Sequence, residues 1–119
     1  MSTRDLGSVG EEVAARFLES KGFKILFKNW TCRWGEIDVI AQDGKVLVFV
    51  EVKSRSGGRF ESGYGALNYT KKKRLLRAIH KFLLEHNLWE VSWRLDAVCV
   101  TEIFGETEIH HYENILVDS

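Results

Sequence analysis

Proline is absent from this chain of 119 residues, methionine occurs once and cysteine twice. There is no internal repeat and no low-complexity tract, so no proline-rich or biased linker divides the sequence. Its length reads as one domain, residues 1–119. Cys32 and Cys99 lie far apart and outside any metal-ligand spacing. That excludes a zinc ribbon and a disulfide scaffold, and a reduced, cytoplasmic protein is the expectation. The four histidines form no zinc motif, and adjacent His110 and His111 would point to opposite faces of a strand. No apolar run reaches membrane-spanning length, and Met1-Ser2-Thr3-Arg4-Asp5 carries no signal-peptide pattern, so no membrane is expected as a partner. With 45% hydrophobic and 12% aromatic residues the chain can bury a core and is not disordered.

Net charge is also missing: 17 basic residues balance 17 acidic ones. The balance hides an asymmetry. Between Lys53 and Lys81 there are nine basic residues and one acidic residue, Glu61. A basic segment of this kind fits a phosphate-rich partner. The plainer reading is a solvated helix face.

The acidic residues that matter lie before it. Gly35-Glu36-Ile37-Asp38-Val39-Ile40-Ala41 and Val46-Leu47-Val48-Phe49-Val50-Glu51-Val52-Lys53 flank Asp43-Gly44 and read as a β-hairpin. Asp38, Glu51 and Lys53 interrupt otherwise apolar arms, where charges are rare. If Gln42 and Lys45 close the turn, Asp38 faces Phe49 and Glu36 faces Glu51. Side chains alternate with a period of two, so Asp38 shares a face with Leu47, Phe49, Glu51 and Lys53. Asp38 and Glu51 become diagonal neighbours roughly 7–8 Å apart. Two facing carboxylates repel unless a proton or cation lies between them. Oxygen ligands suit Mg²⁺ or Mn²⁺. Lys53, beside them, would orient water or stabilise a pentacovalent phosphate. The implied chemistry is metal-assisted phosphodiester hydrolysis. The alternative is an ordinary hairpin with solvated charged ends.

The remaining pattern is coarse but ordered. A helix is expected from about residue 6 to 20, closed by Lys21-Gly22. Glu11 falls at the edge of its apolar stripe and can look toward a sheet, whereas Glu12 points to solvent. A strand over 23–28 follows, then a link over 29–34. Arg33 and Trp34 in that link could touch nucleic acid, although Trp34 packing on the core is favoured. After Lys53 a glycine-rich polar loop spans residues 54–65. A second helix runs from about 70 to 85, with Thr70 as its cap. Strands over 93–103 and 107–112 flank a turn at Phe104-Gly105-Glu106. Arg94 and Asp96 share a face of the first, and Asp96 is read first as a structural partner. The order α-β-β-β-α-β-β implies an α/β fold with a mixed sheet flanked by helices.

Asp38 followed by Glu51-Val52-Lys53 resembles the PD-(D/E)xK nuclease signature. Gly10-Glu11, Gly35-Glu36-Ile37-Asp38, Phe49-Val50-Glu51-Val52-Lys53-Ser54-Arg55 and Arg94-Leu95-Asp96 resemble, in order, the successive motifs of the YraN-like family of small bacterial proteins. The resemblance spans nearly the whole chain. It implies a restriction-endonuclease-like core and a nuclease whose catalytic residues are Lys53, Glu51, Asp38 and Glu11. Asp38 and Glu51 would bind the metal, and Glu11 on the first helix would support the metal or its water. Lys71 matches a recurrent lysine of the same pattern. Resolvases that resemble this protein work as dimers, so a homodimer is implied by analogy.

On this reading DNA or another nucleic acid is the partner. Arg55, Arg59, Lys71, Lys72 and Lys73 would hold its backbone, and no residue set obviously reads base edges. Two other functions stay open. One is a non-catalytic nucleic-acid-binding module on the same fold; the other is a protein-interaction module using the tryptophans and the acidic C-terminal half.

Overall fold

A computed structural model of the chain describes residues 3–56 and 69–116. The order is α1 (Thr3–Ser20), β1 (Lys24–Cys32), β2 (Gly35–Asp43), β3 (Val46–Ser56), α2 (Tyr69–Glu85), β4 (Trp93–Ile103) and β5 (Glu106–Tyr112). This is the expected α-β-β-β-α-β-β order. The strands form one five-stranded sheet in the order β1-β2-β3-β4-β5. The β3–β4 pairing is parallel, and the other three are antiparallel. That parallel step is the one made through a helix, as a crossover requires.

Each sheet face buries its own core. On one face Ile40, Leu47, Phe49, Leu95 and Ala97 pack against Leu75, Ala78, Ile79, Phe82 and Leu83 of α2. On the other, Val39, Ala41, Val48, Val50, Val98 and Val100 pack with Ala14 and Leu18 of α1. The central strands are therefore apolar on both sides, which is why β3 and β4 read as near-continuous hydrophobic runs. Helix α1 ends as expected. Gly22 adopts a left-handed φ of 95°, and the Phe23 N–H reaches the Leu18 carbonyl at 3.0 Å.

Three local expectations are corrected. The β2–β3 turn is closed by Asp43 and Val46, not by Gln42 and Lys45. Gly44, at φ 61°, takes the first central position, where a two-residue hairpin of this hand needs glycine. The register therefore moves by two residues. Parity survives from Val39 to Asp43, where the ladder is regular, but the pairing of Asp38 with Phe49 and of Glu36 with Glu51 does not: Phe49 pairs with Ile40. The supposed link over 29–34 is mostly strand, because β1 continues to Cys32 and pairs there with Gly35. Arg33 and Trp34 are thus the tip of a tight hairpin. Finally, β3 continues through Ser56, so Ser54 and Arg55 belong to a strand paired with Val100 and Thr101. The rest of the predicted loop, Arg59 included, lies outside the described residues.

Candidate functional site

The site begins with a break in the sheet. The β2–β3 ladder ends at the Val39–Val50 pair. One step further the Asp38 side chain takes over, its Oδ2 accepting the Val52 N–H at 2.8 Å. Across β2, Asn29 of β1 has a left-handed φ of 55°. Asparagine is among the few side chains that tolerate this conformation. Alternation is lost at the same place, since Ile37 and Ile40 both pack on the α2 side although three residues apart. The disturbed strands let carboxylates collect where a regular sheet would have placed apolar side chains.

Helix α1 supplies the next acid. A Cβ on Gly10 would overlap the Ser54 hydroxyl, so glycine lets the helix lie directly on β3. The following residue, Glu11, then reaches the break and hydrogen-bonds with Asn29 and Asp38. Glu12 points away and pairs with Lys28 at 2.8 Å and Arg16 at 3.2 Å, both on the surface. Oxygens of Glu11, Glu36 and Asp38 lie within 4.8 Å of one another.

Glu51 stands beside this group on β3, and its side chain is only 8% exposed. Its Oε1 is 2.6 Å from Lys71 Nζ, in the first turn of α2, and 3.4 Å from Lys53 Nζ. Two ammonium groups thus converge on one carboxylate. Burial, and then the neighbouring Lys71 ammonium, lower the proton affinity of Lys53, against the pull of Glu51. Burial also works against the Lys71 charge, but its bond to Glu51 outweighs this and holds Lys71 above the ordinary lysine range.

The carboxylates feel one another strongly. Asp38 is pushed up to about 8, first by burial and then by the charges of Glu51, Glu11 and Glu36, despite the Val52 N–H that favours its anion. Glu11 is also raised, by burial and by Glu36, with its hydrogen bonds to Asn29 and Asp38 acting the other way. Such a cluster gains from a proton or a cation. Its donors are all carboxylate oxygens, the set that suits a small hard divalent ion with water completing the shell.

The structure thus gathers Glu11, Asp38, Glu51, Lys53 and Lys71, and adds Glu36 to the closest carboxylate group. Glu51, expected with Asp38 as a metal ligand, lies against two lysines. Lys72 and Lys73 follow Lys71 in the first turns of α2. Arg55 lies half-buried on β3. Asn29 was missed. The only trace of it was a polar Lys28-Asn29 step inside an apolar strand, which does not reveal a left-handed backbone.

Asp96 belongs to a different arrangement. It is fully buried and accepts from Arg94 Nε at 3.0 Å, His111 Nε2 at 2.8 Å and the Asn114 N–H at 2.9 Å. Lys21 Nζ lies 2.7 Å from His111 Nδ1. An ammonium can only donate, so Nδ1 accepts and the Nε2–H faces Asp96. This is the structural role expected for Asp96.

Together these features define an α/β protein with a mixed five-stranded sheet and a carboxylate–lysine cluster at a break between its strands. The sequence pattern of the uncharacterised protein family UPF0102 matches residues 10–100. A UPF0102 protein of Carboxydothermus hydrogenoformans is 39% identical over 116 residues, covering 98% of each chain. One from Alkaliphilus oremlandii is 39% identical over 113 residues, covering 93% of this chain and 97% of its own. A third, from Parafrankia, is 43% identical over 107 residues, covering 89% and 91%. The chain belongs to the UPF0102 family, the YraN-like group of small bacterial proteins.

Proposed function

We propose that this protein is a divalent-metal-dependent nuclease that hydrolyses phosphodiester bonds in DNA. The observation that carries the reading is the Glu11–Glu36–Asp38 group, whose mutual repulsion helps to raise Asp38 to about 8, directly beside the Glu51–Lys53–Lys71 triad. Asp38, with Glu11 and Glu36, would hold Mg²⁺ or Mn²⁺. The ion would supply Lewis-acid activation of the phosphate and of water. Glu51 orients Lys53, and Lys53 Nζ positions the attacking water or donates to the phosphoryl oxygen as negative charge builds there. Lys71, Lys72 and Lys73 offer cations to the backbone on either side.

A second reading has its own support. Glu51 is already neutralised by two lysines, as in a module that binds nucleic acid without cutting it. The deciding assay uses labelled single-stranded, duplex, flap and four-way DNA with Mg²⁺ or Mn²⁺, and compares wild type with Asp38→Ala and Lys53→Met. Metal-dependent product lost in both variants supports the nuclease. Binding by the wild type without cleavage under either metal transfers the protein to the second class.

A further inference from the structure

The tip of the β1–β2 hairpin has no part in the scheme above, yet it stands at the edge of the site. Trp34 is half-buried against the α2 core. The Arg77 guanidinium of α2 lies over its ring, 4.6 Å from the centroid, and the Arg33 guanidinium lies 4.8 Å away. Two cations on one indole fix its plane and give the tip a positive charge. Between this ring and Glu51 is a cavity of about 170 Å³. Its walls include Trp34, Leu75 and Ala78; Lys71 and Arg74 stand on the same lining, with the carboxylates of Glu36 and Glu51 at the end nearest the acid group. Lys71, Arg74, Leu75 and Ala78 recur at helical spacing, so a single face of α2 carries both the apolar wall and the cations.

A flat apolar wall with cations beside it has the chemistry of a nucleotide seat: the wall takes a base and the cations take its phosphate. A base in a continuous duplex has its faces covered by its neighbours and cannot enter a cavity closed by a hairpin tip and a helix. We infer that the cavity between Trp34 and Glu51 binds one unpaired nucleotide next to the phosphate to be cut, so the substrate class is nucleic acid with a single-stranded segment. This rests on the nuclease reading for what happens to the phosphate. It does not rest on that reading for the binding itself.

The test therefore measures binding without metal. Fluorescein-labelled oligonucleotides in EDTA are followed by anisotropy: a single strand, its duplex, and an abasic strand of the same length. The wild type is expected to bind the single strand about 10-fold more tightly than the abasic strand, the scale of one stacked base. Trp34→Leu, which keeps apolar bulk, is expected to shrink that ratio toward one; Arg77→Gln, which also removes a cation, is expected to weaken both strands but the single strand more than the abasic one. Equal affinity of wild type for normal and abasic strands overturns the proposal without any variant, as does a ratio unchanged in a folded Trp34→Leu protein. A base-dependent ratio in a protein that never cleaves would remove the nuclease and keep the seat. Equal cleavage of duplex and single strand with no base dependence would do the reverse.

Discussion

Two aspartates on inner strands of one sheet have opposite fates. Asp96 on β4 is surrounded by donors: a guanidinium, an imidazole N–H and a backbone N–H. Burial alone would raise it, but the bonds from His111, Arg94 and Asn114 outweigh burial and hold it below the ordinary carboxylate range. Asp38 on β2 accepts one backbone N–H and meets the charges of Glu51, Glu11 and Glu36, and burial with these acids pushes it up to about 8. The first carboxylate is completed by the protein itself. The second is left to be completed from outside, by a proton or a cation. Burial therefore does not distinguish a structural aspartate from a functional one. The sign of its surroundings does.

The largest break in this comparison is Asp96→Ala. It leaves the His111 N–H and the Asn114 N–H without their acceptor and Arg94 with only its weaker contacts to Asp43 and Glu113, and should cost about 3–5 kcal/mol. Urea unfolding followed by circular dichroism would measure it. Smaller but opposite in sign, Mn²⁺ at about 100 times its Kd should stabilise the wild type by about 2.7 kcal/mol. The gain should vanish in Asp38→Asn and persist in Lys21→Met, read by thermal shift at pH 8.

Gly10→Ala probes how Glu11 is delivered. The new methyl meets Ser54, and overpacking of this kind costs about 1–3 kcal/mol. Partial recovery in the Gly10→Ala/Ser54→Gly double variant would tie the loss to that contact; no recovery would refute it.

The pH dependences should also oppose each other. Between 3.8 and about 8 the folded protein binds a proton at Asp38 that the unfolded chain does not. Metal-free stability should therefore fall as pH rises through this window and level off above it. Asp38→Asn keeps the Val52 hydrogen bond without the charge, so it should flatten the slope and be the more stable protein at pH 8. The difference should be on the order of 1 kcal/mol or more, since a tenfold change in proton affinity is worth about 1.4 kcal/mol. Asp96 acts in the other direction: its contribution is present above 3.8 and lost as pH falls through its lowered folded value. The smallest effect belongs to Lys21→Met. Lys21 is exposed and touches Asp96 only through His111, so a loss of about 0.5–1 kcal/mol is expected from denaturant titration.

Much of this molecule was written in periodicity. Apolar spacing located both helices and all five strands, and the alternation of β3 put Glu51 and Lys53 on one face. A slip of two residues preserves parity along the regular part of the hairpin, but Asp38 reaches Glu51 through the break in β2 and not through alternation. The pattern of α1 likewise separated Glu11 from Glu12 without any tertiary information.

Tertiary structure decided what one-dimensional patterns do not encode. The left-handed Asn29, the ladder ending at Val39, the approach of Gly10 to Ser54 and the entry of Glu36 into the acid group all depend on how elements cross. So do the pairing of Lys71 with Glu51 and the stacking of Arg77 on Trp34. Local sequence sets which face a side chain occupies, because strand and helix geometry repeat. The charges a side chain meets there come from segments distant in the chain, and those neighbours make Asp38 a candidate for chemistry and Asp96 a support.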